Sequence, residues 1–328
     1  MNQLPQLFTH HIADRLGCGI AIILRGTYLQ FETAEEWNVV KNLLDTSAKY
    51  KSGRVFVFDG IASCIENSIP NGSEFDSSRR KEDTEMSTHC ATSFVELLCK
   101  FASGAYENDM SLSLPAMFCL EKVYNYLCHG VTRKMNPQEE KKETYSPDHK
   151  LWENSLEAYV SVSISTEAHT AKKGVESLQR FLLSTKIESI PGESWLKVLD
   201  LLSSQLPPVE LVPVRTKYFD LLTRMILIHV PLLCKEKQKQ DQLTTIIHRV
   251  AASISENLSV GRQGTVSTLF ESTVQLVTNL SNVLLLPEFV AEEKFNEWAG
   301  NTLFEELEKV GAGGGSARMI NATSAHGV

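Results

Sequence analysis

No apolar run in this chain approaches the 18 or so residues that a membrane-spanning helix needs. The opening, MNQLPQLFTHH, lacks the basic and apolar regions of a secretory leader, so none is expected. Turn residues are scarce: 18 glycines and 11 prolines in 328 residues make a turn-dense all-β fold a poor expectation. Positive charge is in deficit too. Forty acidic against 32 basic side chains leave a net charge of −8, which argues against a dedicated nucleic-acid binder. There is no G-x-S-x-G, no H-E-x-x-H, no P-loop and no dinucleotide-binding glycine pattern. Chemistry based on those motifs is excluded.

The seven cysteines are Cys18, Cys64, Cys90, Cys99, Cys119, Cys128 and Cys234. An odd count without a C-x-x-C does not make a disulfide framework. The nine-residue gaps of Cys90/Cys99 and Cys119/Cys128 are too wide for zinc pairs. Buried, reduced thiols in a reducing, cytosolic compartment are expected. The nine histidines are scattered. His10 and His11 fall on different sides of the first helix, and His169, His229 and His248 lack a carboxylate or thiol at metal-ligand spacing. No metal, cofactor or catalytic residue is expected.

What is present is helical periodicity. TAEEWNVVKNLLDTSAKY, residues 33–50, opens with Thr33 and, three residues on, Glu36, the signature of a capping box. Trp37, Val40, Leu44 and Ala48 then share one face, with Leu43 and Ser47 at its edge. Leu7, Ile12, Leu16, Ile20 and Ile23 give a preceding helix, with Gly26 as its stop. Phe58, Ile61 and Ala62 face inward on a third helix over 55–65. Two more are expected over 90–105 and 114–131, the second with Pro115 in its first turn. Seven follow, at 148–165, 167–184, 193–206, 210–233, 236–257, 262–285 and 288–307. Pro231 should kink or end the fourth of these. Residues 161–164 alternate like a short strand, but the flanking period favours helix.

The expected fold is all-α, an α-solenoid of HEAT- or armadillo-like repeats with about twelve helices. Trp37 precedes Leu43-Leu44 as Trp195 precedes Leu201-Leu202, and Trp152 with Leu156 and Trp298 with Leu303 begin looser copies. The 43 residues from Trp152 to Trp195 fit a two-helix repeat. Helical repeats are expected over 1–67 and 148–310 and a helical pair over 89–131. Charged loops separate them at 68–88 and 132–147, and the glycine-rich tail, 311–328, reads as disordered. Arg79, Arg80 and Lys81 in the first loop are the candidate contact for a lipid or acidic partner. Asp76, Glu82, Asp83 and Glu85 nearly cancel their field, so a solvated loop is the plainer reading. Phosphorylation of Ser77 or Ser78 would reverse that local charge.

Three stretches together resemble the region downstream of the Sec7 domain in large Arf guanine-nucleotide exchange factors of the Golgi brefeldin A-resistance factor, Gea and GNOM type. The first is FETAEEWNVVKNLLDTSAKY, with Trp37 and Leu44, followed by a helix ending DGIASCIEN. The second runs from Trp152 through Leu156, Leu178, Leu182 and Leu183 to Trp195. The third is the series of long helices from Thr216 to Leu286. Ser165, Ala168 and Ala171 stand where the family has an Asp and paired arginines.

The resemblance implies a non-catalytic part of an exchange factor, cytoplasmic and peripheral on Golgi membranes. It would act in targeting, partner binding or regulation of Arf activation in vesicle traffic. Its implied partners are Arf- or Rab-type small GTPases or the upstream exchange domain. Trp37, Leu44, Trp152, Leu178, Leu182, Trp195 and Leu202 would be repeat anchors. A stand-alone HEAT-type scaffold without a GTPase role is the rival. Ile190-Pro191-Gly192-Glu193 looks like the core of the Sec7 glutamic finger. Ser194-Trp195 follows at once, so a helix start with Glu193 against the helix dipole is the preferred reading.

Overall fold

In a computed structural model, the described residues are 6–69, 86–130, 149–184 and 192–233, with 242, 243, 245, 246, 249, 250 and 253. Among them are nine α-helices and no strand. They are α1 (Gln6–Thr27), α2 (Ala34–Ala48), α3 (Lys51–Ser68), α4 (Thr88–Ala102), α5 (Ser113–Gly130), α6 (His149–Ser163), α7 (Ala168–Ser184), α8 (Gly192–Ser204) and α9 (Val212–Leu233). Residues 161–163 are helical, as the flanking periodicity requires. Both charged loops over most of their length, most of the three helices expected after residue 235, and the tail lie outside the described residues.

The helix starts follow their local chemistry. The Thr33 hydroxyl accepts from the Glu36 amide, while Glu36 accepts from the amides of Glu32 and Thr33, closing the capping box. Ser87 does the same for α4, accepting from the Cys90 amide. The described part of α9 continues through Pro231 to Leu233.

Helix faces depart from expectation. Ile23 is 56% exposed and Ile22 64%, while Ala21, Leu24 and Tyr28 are buried. The reason is backbone proximity. A Cβ on Gly17 would lie 3.0 Å from the Gly53 Cα, and one on Gly60 would lie 3.2 Å from the Ala21 Cα. α1 and α3 therefore pack through their small residues, which turns Ile22 and Ile23 outward and leaves Ile20 half-buried. Gly26 does not stop α1, which runs on to Thr27 and into a 3₁₀ turn over Tyr28–Gln30. Buried Tyr28 ties that turn down by a 2.6 Å hydrogen bond with Ser68. On α2, Leu43 is 46% exposed and Ser47 is buried, because Ser47 faces the Gly17 contact. Val40 and Ala62 are only half-buried.

The chain divides into two compact units. The first holds α1 to α6 and residues 176–184 of α7. Within it α2 packs on α4 and α4 on α6, while α1 packs on α3 and α3 on α5. Consecutive helices also pack across these two series, α2 on α3, α4 on α5 and α5 on α6. Its core carries aromatic pairs: Trp37 meets Phe94 edge-on at 5.5 Å, and Phe58 meets Phe101 at 5.6 Å. The second unit contains residues 168–175 of α7 together with α8 and α9. There α8 packs on α9, and the Tyr218 hydroxyl donates to the Leu202 carbonyl at 3.2 Å.

Candidate functional site

Trp37, Leu44, Trp152, Leu178, Leu182, Trp195 and Leu202 are all buried, each no more than 2% exposed. They do not converge on one place. The first five belong to the core of the first unit and the last two to that of the second. Arg79, Arg80 and Lys81 lie outside the described residues. Glu193 is exposed in the first turn of α8, where its charge favours the helix N-terminus.

Two polar assemblies in the first unit escaped the sequence reading. One centres on Arg54 of α3, whose guanidinium is buried. Its Nε donates to the Ala48 carbonyl at 3.1 Å, its Nη1 to Asp109 at 2.6 Å and its Nη2 to Glu107 at 3.0 Å. The acceptors Asp109 and Glu107 sit in the turn joining α4 to α5. Gly104, Glu107 and Asn108 all take positive φ there, of 67°, 55° and 56°. Beside it, Asp45 accepts from Lys100 at 2.7 Å and from the Tyr106 hydroxyl at 2.8 Å. Burial pushes the Asp45 carboxyl up, and its bonds from Lys100 and Tyr106 outweigh that, holding it below the usual range. Hydrogen bonds from Ser111, then Arg54, hold Asp109 low as well. Paired cations and anions of this kind fasten a turn with positive φ to two helices.

The other assembly is an open groove of about 660 Å³ between α5, α6 and α7. Tyr124, Tyr159 and Phe181 form its apolar side, and Leu183 stands half-exposed at its rim. Phe181 is a wedge, with ring centroids 4.8 Å from Tyr159 and 5.1 Å from Tyr124. Arg180 spans from α7 to Glu121 of α5 with a two-point pair, Nε to Oε1 at 2.8 Å and Nη2 to Oε2 at 3.0 Å. Glu121 also accepts from Ser177 at 3.3 Å. The groove's lining holds two phenols, Tyr124 and Tyr159, the carboxylates of Glu121 and Glu176 and the Arg180 guanidinium. A signal for Arg54 was available: it is the one charge on α3 in step with Val57, Phe58 and Ile61. None existed for Glu121 and Arg180, which are 59 residues apart.

In the second unit, His229 of α9 is fully buried and stacks on Trp195 at 3.9 Å. Among the described residues, neither ring nitrogen has a hydrogen-bond partner. Burial lowers its pKa from 6.5 to about 4. The unfolded chain thus binds the extra proton first. Stability due to this group is complete above pH ~6.5 and declines as pH falls towards the folded pKa, by at most about 3 kcal/mol. His229→Leu should flatten urea midpoints between pH 6.5 and about 4 relative to the parent chain. An unchanged slope would show that the imidazole is not held neutral.

The six described cysteines are free thiols. Cys64, Cys90 and Cys99 are buried, whereas Cys18, Cys119 and Cys128 are only half-buried, on helix flanks and not in the core as expected. Burial pushes Cys64 and Cys99 up to about 12, and Cys119 and Cys128 to about 11, so none of these four is a nucleophile at neutral pH. Among the described residues no three His, Cys, Asp or Glu side chains gather to hold a metal ion. No described helix is long and apolar enough to cross a membrane. No protein-family model, curated protein or solved structure matches the chain.

Proposed function

We propose that this chain is a non-catalytic helical-repeat segment that works by binding. Its setting would be that of the region downstream of Sec7 in a large Arf exchange factor, with membrane targeting, partner binding or control of Arf activation at the Golgi as its task. One observation carries the binding part. The described helices of the first unit pack in two interleaved series, α1–α3–α5 and α2–α4–α6, as stacked helix pairs do. Such stacks present long surfaces and grooves rather than enclosed reaction chambers. The Arf part is supported by Trp37, Trp152 and Trp195, each buried near the start of its helix, and by the resemblance carried on those stretches. The position of Glu193 in a helical turn supports a role without a glutamic finger.

The test is a titration of the full chain with an isolated Sec7 domain, with Arf in its GDP and GTP forms, and with GTP-loaded Rab. Saturable binding to one of them is expected. Binding to none would leave a HEAT-type scaffold with no GTPase role. In the same assays Glu193→Lys should leave nucleotide exchange by the Sec7 domain plus this chain unchanged. A collapse of exchange, with the helical signal intact, would restore the finger.

A further inference from the structure

We infer that the α1–α2 end of the first unit docks against the same surface of a second copy of this chain. The two-fold axis passes between Ile22 and Ile23 of the two α1 helices. The inference goes beyond the binding reading above and does not depend on the partner named there.

The face comes first. α1 is the outermost described helix of the α1–α3–α5 series, and its Gly17 and Ala21 meet α3. On the opposite side of α1, Gly19, Ile22, Ile23 and Gly26 form one stripe at helical spacing. Ile22 and Ile23 are 64% and 56% exposed, and a Cβ on Gly19 or Gly26 would meet no neighbour within 4 Å. α2 widens this surface. A Cβ on Gly17 would lie 2.9 Å from the Ser47 hydroxyl oxygen, and the Trp37 indole donates to the Phe31 carbonyl. These two anchors run α2 antiparallel to α1, with Leu43 level with Ile22 and Ile23, and Val39 level with Leu29. Val39 is 60% exposed, Leu43 46% and Leu29 37%. Five of the eleven large apolar side chains exposed among the described residues thus belong to this end. A helix stack that stops in water stops on a polar face, so a face this apolar needs a cover.

The stripe is its own complement. Gly19-x-x-Ile22-Ile23-x-x-Gly26 reads the same in both directions. Two antiparallel α1 helices therefore set Gly19 of each copy against Gly26 of the other, with the isoleucines side by side, as a two-fold interface requires. The missing Cβ atoms let the backbones come close. Charge selects the same register. It carries Arg15 of one copy to the Gln30 end of the other, where Glu32 and Glu35 are exposed. None of these three charges enters an ion pair among the described residues. Neither Arg15 nor Arg25 falls opposite an arginine. A lipid surface could take the isoleucines, but it has no use for the two glycine gaps, and anionic headgroups would be repelled by Glu32 and Glu35. A face one helix pair wide lies near the low end of the about 1,200–2,000 Å² that stable complexes bury, so a Kd in the micromolar range is expected.

The experiment is sedimentation equilibrium on the full chain alone, from about 1 to 300 µM, which brackets such a Kd. The mass should rise from 36.6 kDa towards twice that value. Ile22→Asp should hold the chain at the monomer with its helical signal kept, since the side chain it replaces is exposed. Gly26→Leu should do the same while the monomer melts no lower, because space is open there and leucine is the better helix former. Arg15→Glu should weaken the dimer about tenfold, and adding Glu32→Arg with Glu35→Arg should restore it. A chain that stays monomeric throughout overturns the proposal. So does a dimer indifferent to both Ile22→Asp and Gly26→Leu, or an Arg15→Glu loss that the two added arginines leave unrepaired. A monomer that binds phosphatidylserine vesicles through Ile22 would make the face a lipid surface and overturn it as well. No other protein is present in these runs, so their failure leaves the Sec7, Arf and Rab titrations untouched.

Discussion

Trp37→Ala should lower the unfolding free energy by about 4 kcal/mol, the range for removing a fully buried indole from a packed core. The ring is 1% exposed and stands edge-on to Phe31 at 5.8 Å and to Phe94 at 5.5 Å. Its indole N–H donates to the Phe31 carbonyl at 3.0 Å. Alanine would leave that carbonyl without its donor and open a void shared by α2 and α4. Neither backbone can collapse far, because Lys41 and Glu96 also pin these helices together, at 2.7 Å. Urea unfolding should show a lower midpoint with an unchanged slope. Trp195→Ala should cost a similar amount in the second unit and leave His229 without its stacking partner. A loss below about 1 kcal/mol in both variants would mean that the rings do not hold these cores.

Arg54→Met is the second large effect. Methionine keeps the apolar stem but removes three hydrogen bonds, taking that donor from the Ala48 carbonyl and leaving Asp109 only its bonds from Ser111. Breaking a fully buried ion pair costs about 3–5 kcal/mol. Asp109 is 26% exposed and Glu107 65%, so water recovers part of the loss and about 2–3 kcal/mol is expected. Glu107→Gln, at the exposed end of the same cluster, should cost less than about 1 kcal/mol. The turn should also loosen, since Glu107 and Asn108 hold positive φ against their own preference. Hydrogen exchange over residues 103–112 should therefore rise in Arg54→Met and stay at the parent level in Glu107→Gln. Equal costs for the two substitutions would show that the buried guanidinium is not the clamp.

The α2 start was legible to the residue, because a capping box is made by neighbours three positions apart. The end of α6, the start of α7, the end of α8 and the start of α9 were legible to within about two residues for the same reason, with apolar spacing and the Pro207-Pro208 break marking them. The face of α1 was not. Its aliphatic residues suggested that Ile20 and Ile23 turn inward, but contact energy there depends on how closely two backbones approach. Gly17, Gly53 and Gly60 permit an approach that branched side chains would prevent. Composition scales rank glycine as featureless, so a packing face built on it is silent in one chain's periodicity.

The groove shows the same division more sharply. Tyr124, Tyr159 and Phe181 each read as one more apolar position on a helix, and Glu121 and Arg180 as solvated charges. Only packing α5, α6 and α7 sets the three rings about one wedge and bridges 59 residues of chain with a two-point ion pair. The sequence by itself determined that the described chain is helical, where most of those helices begin, and that their tryptophans lie inside. Those outcomes depend on hydrogen bonds and side-chain spacing within a turn or two. Which small residues meet, which charge is buried at Arg54 and which carboxylate Arg180 reaches were decided by tertiary structure. Such contacts join residues more than thirty positions apart, and no local pattern encodes their geometry.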